Sequence, residues 1–329
     1  MKRRLKPLRH WIKQLRFVDV RKLYRQLFDD PALFARLSDP NDVPGDWSAI
    51  CRMTTEHLRR SEISYEDATP FLLLMELLRG THRNTAVRHV IVDEAQDYSP
   101  IQLALLKRLF PRSKMTTLGD LNQAVYAHKS ALSELDALVP LYGREQTEII
   151  QLTQSYRSTY EIVAFTRGMV PGGENIVPFQ RHGRKPRVII SGSDEIKHRR
   201  IAADIRSLQS EGYQSIAVIC KTAQESQAAH EALRDLPLGR LMTKDSVAFE
   251  NGILIIPSYL AKGVEFDAVL IFDGADSQYR YEHERKLFYT ACTRAMHVLQ
   301  VYVCGQPSPF IMEQAPDTYT YTLERFRND

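Results

Sequence analysis

Val90-Ile91-Val92-Asp93-Glu94-Ala95-Gln96-Asp97 is the stretch on which the reading of this chain turns. The β-branched run Val87–Val92 stops abruptly at acids, and helical patterns lie on either side, over Phe71–Leu78 and Ile101–Phe110. A short apolar run of this kind suits a strand buried on both faces. A carboxylate at the carboxyl end of a buried parallel strand stands where open α/β sheets take ligands. Two adjacent acids there suit nucleotide hydrolysis. Asp93 can hold Mg²⁺ through its water shell, and Glu94 can orient and deprotonate an attacking water. Taken alone, D-E-x-x-D also fits an acidic turn that caps the following helix.

The same alternation recurs along the chain. Met115–Leu118 and Glu148–Leu152 read as strands, and beyond Thr159 so do Arg187–Ile190, Ser215–Cys220, Gly252–Pro257, Ala268–Phe272 and Val298–Val303. Between them His198–Glu211, Gln224–Asp235 and Glu284–Arg294 read as helices. Apolar strands alternating with helices predict parallel sheets covered on both faces. The chain is therefore expected to be α/β, and its 329 residues correspond to about two domains. Gly172, Gly173, Pro178, Gly183 and Pro186 mark a loop-rich entry to the second. The expected division is a helical basic region over 1–84, the second part of a first α/β domain over 85–158, and a second α/β domain over 159–329.

The N-terminal region reads as helical. Leu5, Leu8, Ile12 and Leu15 recur at helical spacing, and Lys2, Arg3, Arg4, Lys6, Arg9, Lys13, Arg16, Arg21 and Lys22 occupy the other faces. Such a basic amphipathic helix suits phosphates, a membrane surface or an acidic protein, or is simply the solvated side of a packed helix. Asp46 is placed to cap a helix through about Arg60. Ser64 and Asp67 form a capping pair before Phe71–Leu78, which Gly80 ends.

Composition narrows the classes. With 44 basic and 40 acidic residues the net charge is only +4, too mild by itself to point to nucleic acid. Cys51, Cys220, Cys292 and Cys304 form no C-x-x-C pair and no zinc spacing, so reduced thiols and a cytoplasmic setting are expected. The longest apolar run, Phe71–Met75, is far too short for a membrane span, and no membrane partner is expected.

Four further motifs follow the acidic one: Gly119-Asp120-Leu121-Asn122-Gln123-Ala124-Val125-Tyr126, then Gln154-Ser155-Tyr156-Arg157-Ser158, then Ala261-Lys262-Gly263-Val264-Glu265-Phe266-Asp267, and Thr290-Ala291-Cys292-Thr293-Arg294-Ala295. Their order and placement resemble motifs II to VI of the UvrD/RecB group of superfamily 1 helicases. The wording at Phe110-Pro111-Arg112 and Lys286-Leu287-Phe288-Tyr289 resembles the HelD, or helicase IV-like, branch, which includes ATPases that bind bacterial RNA polymerase.

The resemblance implies two RecA-like parallel-sheet domains, the first incomplete, preceded by a helical N-terminal region. It implies ATP and Mg as cofactors, and DNA and/or RNA polymerase as partners. It gives Asp93 to Mg²⁺ and Glu94 to the water. Gln123 would couple the γ-phosphate to the nucleic-acid side, and Tyr156 would stack on the adenine. Arg157 would reach the γ-phosphate, Glu265 would bond the ribose within the motif that contains Gly263, and Arg294 would act as an arginine finger. Two arginines suit the charge that grows on a transferred phosphoryl group.

This sequence departs from the family in two respects. It contains no G-x-x-x-x-G-K-[ST], so the loop that cradles phosphates is absent from it, and the acidic motif comes as early as residue 93. The interval 159–261 is too short for a bulky helical insertion beside a second α/β domain. Three readings follow. One is the C-terminal part of a HelD-like motor whose phosphate loop lies in a missing N-terminal part. Another is a non-catalytic module that binds RNA polymerase or nucleic acid. The third is a DNA helicase of repair. On the first reading, too, the isolated chain is expected to be inactive.

Overall fold

The computed structural model describes residues 18–80, 83–120, 122–123, 142–234, 239–246 and 251–324. The expected basic helix with Leu5, Leu8, Ile12 and Leu15 lies outside the described residues, as does Tyr126. The chain divides into two compact units. Of the described residues, the first unit holds those within 18–119 and 142–147, and the second holds 120, 122, 123 and those within 148–324.

The first unit opens with four helices: α1 Val20–Asp29, α2 Pro31–Leu37, α3 Trp47–Arg59 and α4 Tyr65–Arg79. Asp19 caps α1 by accepting from the Lys22 amide at 3.0 Å. Pro31 sits in the first turn of α2, where its missing N–H costs nothing. The buried Tyr24 of α1 donates its hydroxyl to Asp67 at 2.8 Å, which ties α1 to the start of α4. Ser64 caps α4 and Gly80 ends it in the left-handed conformation, as the sequence predicts. Asp46 precedes α3 but makes no side-chain cap bond.

Strands β1 His89–Val92 and β2 Lys114–Thr117 then pair in parallel, with Val92 opposite Thr117. Between them runs α5 Pro100–Leu109, opened by a Ser99/Gln102 capping box. Val92, Ala95 and Leu103 form the small core under this pair, with Val90, Leu106 and Met115 against it.

The second unit is built on a seven-stranded parallel sheet. Two short strands, β3 Gln154–Ser155 and β4 Val177–Pro178, pair apart from it, and between them lies α6 Tyr160–Thr166. The main sheet and its helices are β5 Arg187–Ser191, α7 Asp194–Ser210, β6 Ser215–Cys220, α8 Ala223–Ala232, β7 Gly239–Leu241, β8 Gly252–Pro257, β9 Phe266–Ile271, α9 Arg285–Cys292, β10 Ala295–Cys304, α10 Pro309–Met312 and β11 Thr320–Glu324. The strand order is β11-β5-β10-β9-β6-β8-β7.

Alternation along the strands splits the core in two. On β6, Ile216, Val218 and Cys220 join one cluster with Ile201, Ile205 and Leu208 of α7. Ala217 and Ile219 join the other, with Ile162 and Phe165 of α6 and Phe288 and Cys292 of α9. Successive side chains point to opposite faces, so a strand covered on both sides reads as one unbroken apolar run.

The expected α/β architecture with a helical N-terminal region is what the chain adopts. One expected strand is not formed. Residues 148–153 carry no regular structure, and Ile149, Ile150 and Leu152 are exposed. An apolar run becomes a strand only when a neighbour completes its ladder, and among the described residues none pairs with this one. The edge strands β7 and β11 and the short helix α6 are not evident in the sequence pattern. Edge strands such as β11, with Tyr321 and Leu323 exposed, lack the apolar signature of central ones.

Candidate active site

In the first unit the acidic motif follows β1 directly. The Leu118 amide donates to Val92 O and the Ala95 amide to Leu118 O, each at 2.8 Å, so the segments after β1 and β2 are held side by side. Asp93 is exposed, and its Oδ1 accepts from the Glu94 amide at 2.9 Å. Glu94 has φ 52° and ψ 38°, and among the described residues only Ser61 is another non-glycine with positive φ. A left-handed backbone costs an L residue about 1–2 kcal/mol, and such positions cluster at functional sites. The buried Gln96 donates its Nε2 to Glu94 Oε2 at 2.5 Å and fixes the direction of that carboxylate.

In the second unit three motifs meet at the amino ends of β9 and β10. The Ser158 hydroxyl donates to Ala295 O at 2.6 Å, the Thr159 amide to Met296 O at 3.1 Å, and the Phe266 amide to Arg294 O at 3.0 Å. Arg157, Glu265 and Arg294 are thereby drawn to one end of the sheet. Arg157 Nε lies 2.5 Å from Glu265 Oε1, an ion pair close in distance but not aligned as a hydrogen bond, with both side chains over a third exposed. Gly263 has φ 78°, a turn that disfavours any side chain.

Arg294 is 1% exposed. Its Nε donates to Thr290 O at 3.1 Å, and its Nη2 donates to Gln123 Oε1. Gln123 in turn donates Nε2 to Asp120 Oδ2 at 2.8 Å. The phenol of the buried Tyr289 is pushed up by burial and by the charge of Asp120, against the opposing pull of Arg294 and Arg157. Sequence reasoning assigns no role to Asp120 or Tyr289. The signal for Asp120 is its position three residues before Gln123, the spacing of a side-chain turn.

Tyr156 is 62% exposed, with its ring 5.2 Å from that of Phe179. Its hydroxyl is anchored on Gln154 Oε1 at 2.7 Å. An open aromatic face held at its rim can receive a flat base.

Among the described residues no group of three or more His, Cys, Asp or Glu forms a metal cage. Mg²⁺ with a nucleotide needs only one or two carboxylates, since phosphate oxygens and water fill the rest of its shell. The exposed carboxylate of Asp93 fits that demand. Two arginines and an exposed aromatic ring fit phosphate and base. No helix among the described residues is long and apolar enough to cross a membrane.

Comparison with known proteins agrees with the motifs. Residues 50–135 match the UvrD/REP helicase N-terminal domain family, and residues 252–302 match the UvrD-like helicase C-terminal domain family. The RecBCD enzyme subunit RecB of Mycolicibacterium smegmatis is 27% identical over 294 residues, covering 72% of this chain and 26% of the relative. A putative ATP-dependent DNA helicase of Acanthamoeba polyphaga mimivirus is 24% identical over 318 residues, covering 87% and 44%. A solved structure, the C-terminal domain of a possible DNA helicase from Lactobacillus plantarum, is 31% identical with a TM-score of 0.43, covering 52% of this chain and 99% of that one. The chain thus spans between a quarter and a half of the length of these two curated relatives.

Proposed function

The chain is a homologue of the UvrD-type superfamily 1 helicases, and we propose that it forms the hydrolysis and coupling part of an ATP-dependent motor that moves on DNA. The observation that carries this reading is the buried Arg294 held by Gln123, with Arg157 drawn to the same end of the sheet by the bond of Ser158 to Ala295 O. A polar glutamine and two arginines from three separate motifs suit the sensing and neutralising of a γ-phosphate.

In this reading Glu94 orients the attacking water and takes its proton, and Gln96 keeps that carboxylate aimed. Arg157 and Arg294 balance charge on the phosphoryl oxygens. Binding a nucleotide then requires Arg157 to leave Glu265, which frees the carboxylate for a ribose hydroxyl. Tyr156 stacks on the base. Asp93 holds Mg²⁺, which when bound supplies positive charge beside the phosphates. The phosphate loop comes from a segment of the parent protein outside these 329 residues, and the motor works in the cytoplasm.

Within the family the reading favours the HelD-like branch, with bacterial RNA polymerase as a further partner. Support comes from the wording around Phe110 and Phe288. It comes also from the interval 159–261, which holds strands of the parallel sheet and their covering helices. The test is ATP turnover by the purified chain, alone and together with the parent segment that carries G-x-x-x-x-G-K-[ST]. Turnover is expected only in the second case and only with Glu94 intact. Glu94-dependent turnover by the chain alone refutes the need for that loop. No turnover in the combined form favours a non-catalytic binding module.

A further inference from the structure

We propose that Asp120 is a positioning residue that sets which way the Gln123 carboxamide faces and, through it, holds the guanidinium of Arg294. Asp120 uses both carboxylate oxygens. Its Oδ1 accepts from the Asn122 amide at 2.9 Å, and its Oδ2 accepts from Gln123 Nε2 at 2.8 Å, while the Gln123 amide donates to Asp120 O at 3.1 Å. An ionised carboxylate only accepts, so the group that Gln123 turns toward it must be its NH₂. The carboxamide is rigid and planar, so its oxygen faces the other way, where Arg294 Nη2 donates to it.

The result is a polar relay from carboxylate to amide to guanidinium. Each amide bond strengthens the other by polarisation. Arg294 is buried and anchored at its Nε on Thr290 O, and the hold of Gln123 on Nη2 adds a second anchor to the guanidinium plane. An asparagine replaces Asp120 only in part. It has one carbonyl oxygen for two donors, and its own NH₂ would face the NH₂ of Gln123 in one of its two flips.

The consequence for catalysis rests on the proposed role of Arg294 at the γ-phosphate, but the relay itself can be tested without nucleotide. The measurement is the rotation rate of the Arg294 guanidinium about Nε–Cζ by NMR on the arginine-labelled chain, with the signal assigned by its loss in Arg294→Lys. Arg200, bonded to Asp204 at 2.9 Å, serves as internal reference. Asp120→Ala removes both acceptors. Asp120→Ser keeps a short acceptor for the Asn122 amide and loses the reach to Gln123, so it separates the turn from the relay. Relative to Arg200, the Arg294 rate is expected to rise roughly two- to ten-fold in both, the factor of one hydrogen bond, and as much in Gln123→Leu. A wild-type ratio in either folded Asp120 variant, or in Gln123→Leu, overturns the proposal. If the ratio rises but ATP turnover of the combined parent keeps its kcat, the relay stands and the catalytic reading of Arg294 fails.

Discussion

Glu94 offers a test in which the usual ranking of two substitutions reverses. At an ordinary loop position Ala is more stable than Gly by about 0.4–1 kcal/mol, because glycine gains more freedom in the unfolded chain. Glu94 has φ 52° and ψ 38°. There a Cβ costs about 1–2 kcal/mol that glycine avoids. Both substitutions remove the bond from Gln96 equally, so it cancels in the comparison. The difference leaves Glu94→Gly more stable than Glu94→Ala by about 1 kcal/mol. Urea unfolding followed by tryptophan fluorescence in a Trp11→Phe background, where Trp47 of the first unit is the reporter, measures this. Ser61, at φ 62°, is expected to show the same order as a second site. An alanine variant as stable as the glycine variant would refute the strained backbone and with it the argument that the motif stores strain for a function. Both variants lack the carboxylate and should fail to support hydrolysis in the combined parent.

Other predictions concern both units. Glu94→Gln in the combined parent should abolish hydrolysis and leave nucleotide binding intact, measured by equilibrium binding and turnover. Arg294→Ala should lower turnover by roughly a thousandfold, and near-normal turnover would sink its assignment. Lys197 is 2% exposed and sits between Asp273 at 2.9 Å and Asp194 at 2.8 Å. Asp273→Ala should cost about 3 kcal/mol, while adding Lys197→Met should recover part of that loss, since an apolar side chain needs no counter-charge. Burial and, less strongly, the neighbouring charge of Asp273 push Glu225 up to about 6. Its folded value lies above its unfolded one, so the stability it confers is complete at low pH and is lost as pH rises toward and through 6. Glu225→Gln should flatten that loss and stabilise the fold at neutral pH by up to about 2 kcal/mol, read from unfolding curves across pH 4 to 8.

Much of this protein is legible in its residues because the relevant signals are local. The runs Ser215–Cys220 and Gly252–Pro257 are strands with those same bounds, since a strand buried on both faces must be apolar throughout. Ser64 and Gly80 bracket their helix because cap chemistry depends on a few neighbouring atoms. The five motifs, by their order alone, give the resemblance to helicases without any geometry. Distant parts of the chain govern the rest. Whether Glu148–Leu152 finds a ladder partner cannot be read from its own composition, and it finds none among the described residues. The left-handed turn at Glu94 sits where the segments after β1 and β2 are joined by backbone bonds. Arg157 meets Glu265 at the end of the sheet where β9 and β10 begin, and Gln123 meets Arg294 across 171 residues of chain. Periodicity and capping act over a few residues and are written in them. Pairing, burial of a charge and the facing of an amide depend on partners far along the chain, which only folding brings within reach.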